Sequence, residues 1–268
     1  MKTKVVNHMT QMNKDTKNLS RSKKYHSSSK PRSKWKRFLF GLLVFLLMTI
    51  GLGLVFHQSV ANFVSQFYTR SYDHPTSRMI HTNQDVDGDF NPNNVRGLTS
   101  ADMVGHNYTN LPVIGNIAIP DIGMNLPIFK GLANENLSVG AGTMKDNQVM
   151  GTGNYTLASH SIFEGYGSQK LLFTPLHRSK VGQKIYLRDD KYIYTYETTD
   201  VFEVTPDDGY VTNDPETDGE KWITLVTCTD LEATKRLIVR GKYLEQKAIN
   251  EAPKELQDYF ETKWTRWW

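Results

Sequence analysis

The sequence predicts an all-β domain, a barrel or sandwich, carried behind a single membrane-spanning helix. Three features predict this: a period-two apolar pattern from Leu111 onward, turn residues that punctuate it at short intervals, and a nineteen-residue uncharged run near the N-terminus.

Residues 1–37 carry twelve Lys/Arg against one acid, Asp15, a net +11 with no apolar period. Such a stretch reads as a disordered cytoplasmic tail that can touch anionic headgroups. Residues 38–56 (FLFGLLVFLLMTIGLGLVF) have no charge and no proline. As a helix they rise about 28 Å, which matches a bilayer's hydrocarbon core. A cleavable signal has a shorter apolar region ending in an Ala-x-Ala-like site, and Ser59-Val60-Ala61 is a poor match to one. Lys34, Lys36 and Arg37 lie directly before the run and only Arg70 and Arg78 follow closely. That bias predicts a single-pass protein of the cell membrane, its N-terminus cytoplasmic and its bulk extracellular.

Residues 57–110 pass from a short amphipathic stretch (Val60, Phe63, Val64, Phe67) into a Gly/Asn/Asp/Pro-rich run at 85–92, which reads as a stalk and flexible spacer. Residues 111–246 are the predicted β domain. Ile117-Ala118-Ile119, Ile185 with Leu187, and Tyr192, Tyr194 and Tyr196 alternate with other residues as half-exposed strands do. Turns are expected at Pro120-Asp121, Asn147, Asp189-Asp190 and Pro206-Asp207-Asp208-Gly209, which leaves about eight strands. Residues 247–268 read as a charged helix (Lys254, Glu255, Asp258, Glu261) followed by Trp264, Trp267 and Trp268 beside Lys263 and Arg266. Those tryptophans suit a bilayer interface, or an apolar patch on the barrel.

A length of 268 residues allows one good-sized domain plus appendages. Beyond Arg37 the chain holds 20 basic and 27 acidic residues, a net −7, which argues against nucleic acid as a partner. No internal repeat, glycine-rich phosphate loop or paired Cys/His metal spacing is present.

The single cysteine, Cys228, cannot form an intramolecular disulfide and is a free thiol. By default such a residue is a small buried apolar group; its neighbours suggest otherwise. Trp222-Ile223-Thr224-Leu225-Val226-Thr227-Cys228 is a β-forming run with Thr224, Val226 and Cys228 on one face. A second run opens at Arg236, and pairing the two as a hairpin sets Cys228 beside Arg236. An arginine there can stabilise the oxyanion formed when a thiolate attacks a carbonyl; a solvated surface arginine fits the same spacing. Of eight histidines, His8, His26, His57, His74, His81 and His106 fall in the tail, membrane flank or spacer. His177 sits in a polar turn and reads as surface. His160 ends the strand-like Tyr155-Thr156-Leu157-Ala158-Ser159, whose small residues leave room for a substrate backbone, and it is the preferred proton partner for Cys228.

Leu157-Ala158-Ser159-His160 and Thr224-Leu225-Val226-Thr227-Cys228, with Arg236 eight residues beyond the cysteine, resemble the three signatures of sortases. The resemblance runs over about residues 111–244, including Gly115-Asn116-Ile117-Ala118-Ile119-Pro120 and Phe173-Thr174-Pro175-Leu176. It is strongest to class A, the housekeeping group, which has an N-terminal anchor and no C-terminal span. The resemblance implies an eight-stranded closed β-barrel with short helices, and a cysteine transpeptidase that fixes secreted proteins to the Gram-positive cell wall. By the same resemblance, Cys228 cleaves a Leu-Pro-x-Thr-Gly signal between Thr and Gly through a thioester, His160 shuttles the proton, and Arg236 holds substrate and oxyanion. Ala158, Thr224, Val226 and Thr227 match substrate-binding positions. The implied partners are secreted proteins bearing that signal, a lipid II-like peptidoglycan precursor supplying the acceptor amine, and the membrane through residues 38–56.

Some class A members bind calcium before the histidine strand, but this loop reads Thr143-Met144-Lys145-Asp146-Asn147-Gln148, a poor ligand set for an ion that takes six to eight oxygens. No metal or other cofactor is expected. Two other readings compete. A pilin-polymerising class C sortase shares the barrel but typically has a lid and a second span, for which residues 245–268 are too polar. A non-catalytic extracytoplasmic binding module could also keep the barrel.

Overall fold

Eight strands form where the apolar alternation runs: β1 (Val113–Ile119), β2 (Met124–Phe129), β3 (Ala141–Thr143), β4 (Asn154–Ala158), β5 (Lys184–Arg188), β6 (Tyr192–Val204), β7 (Trp222–Cys228) and β8 (Arg236–Ala248). They close into a barrel in the order β1-β2-β3-β4-β7-β8-β6-β5, with β1 and β5 as the seam. The all-β barrel expected from the sequence is therefore the fold. The pairs β2–β3 and β4–β7 are parallel. Gly115 makes the seam possible, because a Cβ there would lie 2.4 Å from the Arg188 carbonyl oxygen.

The computed structural model describes residues 34–217 and 219–261. The chain divides into two units, Met1–Gly51 and Leu52–Trp268. Helix α1 (Lys34–Val55) buries none of its 22 residues and rises about 33 Å. Among the described residues it is the one helix long and apolar enough to cross a membrane. The basic tail before Lys34, and the tryptophans at 264, 267 and 268, lie outside the described residues.

Inside the barrel, Ile117, Leu126, Ile128, Tyr155, Leu157, Ile185, Leu187, Tyr196, Ile223, Leu225 and Val239 form one buried cluster. Each such side chain stabilises the fold by about 1.5–3 kcal/mol relative to exposure. The sheet was expected to be half exposed, yet parts of its outer face are covered as well. Helix α6 (Lys254–Glu261) sets Phe260 against Ala118 and Ile193, and Asn125 donates to the Phe260 carbonyl at 2.8 Å. Ile193 is thus buried on one face, and Tyr194 and Tyr196 on the other, with Tyr192 partly buried beside them.

The expected stalk and flexible spacer is folded onto the barrel instead. Helices α2 (His57–Ser71), α3 (Ser77–Gln84) and α4 (Ser100–Gly105) precede β1, while α5 (Asn134–Val139) links β2 to β3. Tyr72, Ile80, Met103 and Tyr108 are buried singly from this stretch, too far apart to make a visible period. Hydrogen bonds complete the seat: Tyr72 Oη donates to the Tyr108 carbonyl at 2.7 Å, and Asn83 Nδ2 to the Val113 carbonyl at 2.9 Å. Thr99 and Asp102 form a reciprocal cap that starts α4 despite its shortness.

Candidate active site

Parallel pairing of β4 with β7 sets Ala158 opposite Val226, where β4 ends while β7 runs on through Cys228 beside β8, so the residues after Ala158 and after Val226 lie at the same end of the sheet. His160 and Cys228 each stand two residues beyond that pair. Backbone and side-chain bonds continue the alignment past the strand: Ser159 N donates to the Val226 carbonyl at 3.2 Å, and Thr227 Oγ1 to the Ser159 carbonyl at 2.8 Å. Neighbouring strands lie about 4.8 Å apart, so the imidazole and the thiol belong to one strand end.

On the other side of β7, antiparallel pairing places Cys228 opposite Arg236, as the hairpin spacing implied. The connecting loop is held by Asp230, which accepts from Thr234 N at 2.9 Å and from the hydroxyls of Thr234 and Thr229. Ala233 is left-handed, with φ 55°, and its carbonyl accepts from Arg236 Nη1 at 2.8 Å. The carbonyl of a left-handed, non-glycine turn residue therefore holds the guanidinium at the strand end that carries the thiol.

Burial dominates the electrostatics. It pushes the Cys228 thiol up, opposed by the charge of Arg236 and reinforced by Asp230. It brings His160 down to about 4, with Asp102 opposing and Arg236 adding to the fall. At neutral pH the resting pair is thus thiol and neutral imidazole. His160 is 8% exposed, and its Nε2 is buried without a hydrogen-bond partner. The small residues before it were expected to leave open space. Instead Ser159 donates to the Gly140 carbonyl at 2.7 Å and packs the strand end closed.

That shift carries a stability consequence. Folded His160 stays neutral to about pH 4, whereas an unfolded histidine takes its proton near 6.5. The unfolded state binds protons first, so stability is intact above about pH 6.5 and falls as pH drops towards 4, by about 2–3 kcal/mol at pH 4.5. Urea midpoints at pH 7 and 4.5 measure this, and His160→Gln should flatten the difference.

The four expected substrate-binding positions separate. Ala158 and Val226 lie in an outer-face apolar patch with Val204, Val211 and Ile238, against which Met144 and Phe202 pack. Thr224 is fully buried and donates to Asn154 Oδ1 at 2.8 Å, and Thr227 is 2% exposed. Both hydroxyls hold strands together, since alternation aims side chains into packing as readily as into a groove. Sequence reasoning missed Ser161, whose Oγ lies 2.9 Å from Thr227 Oγ1 and 3.2 Å from His177 Nε2. His177 is exposed, as its polar turn suggested, yet it ends a polar chain that starts beside Cys228. No periodic signal marks such a chain. A separate cavity of about 240 Å³, lined by Ile114, Lys130, Lys145, Gln148 and Tyr155, contains none of these residues.

The sequence profile of the sortase domain matches residues 117–244, the span that holds this strand end. Sortase A of Streptococcus agalactiae is 41% identical over 234 residues, covering 85% of this chain and 94% of its own. The chain belongs to the sortase family. Sortase A of Listeria monocytogenes is 32% identical, covering 82% of this sortase and 98% of its own length. The solved structure of a Listeria monocytogenes sortase A superposes with a TM-score of 0.51 at 37% identity, over 56% of this chain and 99% of that one. The class A resemblance read from the motifs agrees with these relatives, and as a member of this family the chain is a cysteine transpeptidase.

Proposed function

We propose that this sortase cleaves a Leu-Pro-x-Thr-Gly-type signal between Thr and Gly and passes the acyl group to an amine of a peptidoglycan precursor, with Cys228, His160 and Arg236 as its catalytic groups. The observation that carries the reading is the convergence of these three residues on adjoining strand ends. Cys228 Sγ attacks the Thr carbonyl carbon as its proton passes to His160. The carbonyl electron pair moves onto oxygen, where the Arg236 guanidinium stabilises it. Collapse breaks the C–N bond, the glycine amine leaves with the proton held by His160, and a thioester remains. An incoming neutral amine attacks that thioester and gives its proton to His160, which passes it to the departing Cys228 thiolate, so the enzyme returns unchanged. The patch around Ala158 and Val226 gives an apolar seat for the Leu-Pro part of the signal.

Residues 38–56 serve as the single membrane span, with residues 1–37 cytoplasmic and the barrel outside. Mass spectrometry of the purified enzyme with a Leu-Pro-x-Thr-Gly peptide and a glycine-based amine tests the reaction. The expected products are a covalent adduct on Cys228 ending at Thr, then a ligated peptide; cleavage at another bond overturns the assignment.

Calcium should be dispensable. Lys145 Nζ forms a 2.7 Å ion pair with Asp214, whose carboxylate is held below the usual range by that bond and by Asn154 N. An ammonium thus sits where a divalent ion would need an unshared carboxylate. A chelator titration should leave turnover unchanged, and a several-fold calcium activation would contradict this.

A further inference from the structure

Helix α2 is amphipathic in the opposite sense to a soluble surface helix. Its buried residues are Ala61, Asn62, Ser65, Gln66 and Thr69, four of the five polar and each at most 5% exposed, while Val60, Phe63 and Phe67 stand 47–60% exposed on the other face. A water-facing helix buries its apolar stripe and exposes its polar one. Here the polar face is the seat. Asn62 Nδ2 donates to the carbonyls of Glu164 and Tyr166 at 3.1 and 3.4 Å, and Ser65 Oγ to the Ser138 carbonyl at 2.6 Å. The outward stripe is thus left uncovered among the described residues. The chain itself indicates what can cover it: α2 starts two residues after α1 ends, and its fifteen residues contain no carboxylate. Covalent continuity keeps the stripe within reach of whatever surface the apolar run enters, and an uncharged aromatic stripe suits the boundary between headgroups and acyl chains.

We propose that the outer face of α2, Val60, Phe63 and Phe67, lies in the headgroup–acyl boundary of the lipid bilayer and seats the barrel on the membrane instead of leaving it free on a tether. The inference rests on reading residues 38–56 as the span. It also fixes a direction for the site. Glu164 and Tyr166, which α2 holds, belong to the loop that follows His160, and Tyr166 Oη stands on a side chain 69% exposed. That loop is carried about one helix diameter, ~10 Å, from the lipid, where an amine borne on a membrane-anchored precursor is found.

The test uses the full chain, carrying Cys228→Ala so that one introduced thiol can be nitroxide-labelled, in mixed phosphatidylcholine–phosphatidylglycerol vesicles. Labels at Val60→Cys, Phe63→Cys and Phe67→Cys should collide with a water-soluble nickel chelate about fivefold less, and with oxygen more, than a label at Val181→Cys on the exposed barrel surface. All four sites are exposed, so labelling leaves the core intact, and circular dichroism checks that each variant is folded. Equal nickel access at α2 and Val181→Cys overturns the proposal. Protection that disappears when the protein is diluted in lipid overturns it in favour of a second copy of the chain. A label at Leu46→Cys separates the two readings. Shielding there with α2 open rejects the docking alone, and exposure there rejects the span and the docking with it.

Discussion

Replacing Cys228 by alanine is expected to remove acyl transfer, lowering turnover of a sorting peptide by about 10⁴-fold or more, while the barrel stays folded. The expectation follows from interdependence: a nucleophile, its proton partner and an oxyanion donor act as a unit, so deleting the nucleophile forfeits most of the combined rate. The structural cost is small, because Cys228 is half-buried at a strand end and loses a single atom. A stability change below about 1 kcal/mol is consistent with such a site. Steady-state turnover and a urea midpoint on the same sample separate the effects. Wild-type-like transfer by Cys228→Ala would end the cysteine mechanism.

The second large effect is expected at Arg236. Its positive charge lowers both the Cys228 thiol and the His160 imidazole, so Arg236→Ala should raise both titrations while cutting kcat by about 10²–10³-fold through loss of the oxyanion donor. Thiolate absorbance against pH reads the first change and carbon-13 imidazole NMR the second. Arg236→Lys divides charge from geometry. An ammonium keeps much of the electrostatic effect but lacks the planar fork that bonds both the Ala233 carbonyl and a substrate. Titrations near wild type with poor turnover would show that the fork is what catalysis needs. An unchanged rate in Arg236→Ala would reduce the residue to a loop clamp.

The Cys228–Arg236 juxtaposition was legible in the sequence because a hairpin is local: two β-forming runs and a short loop fix the pairing. The His160–Cys228 juxtaposition was not. It depends on parallel pairing of β4 with β7, for which neither strand carries a local mark, and His160 was preferred over His177 by its setting and by family resemblance. Thr224 illustrates a different limit, since its membership of a motif said nothing about the Asn154 amide that takes up its hydroxyl. The N-terminal helices were read as a spacer because Tyr72, Ile80, Met103 and Tyr108 bury one at a time. Helix α2 also contradicts the rule used to find helices, presenting polar side chains to α5 and to the loop after His160. The outer face of β6 looked half-exposed because its cover, α6, arrives more than fifty residues later in the chain.

The parallel β4–β7 pairing has a consequence for how the enzyme comes to be active after it leaves the ribosome. Contacts between residues so distant in sequence form slowly, because loop closure must precede the gain from pairing. On the proposed catalytic assignment, a chain whose barrel is still open therefore carries Cys228 as an ordinary unassisted thiol, with His160 elsewhere and Arg236 in an unformed turn. On the same assignment, reactivity follows completion of the barrel. An electrophilic peptide aldehyde or vinyl sulfone that needs the assembled trio would then count mature molecules, and its labelling rate after dilution from denaturant would time the closing of the last strand pair.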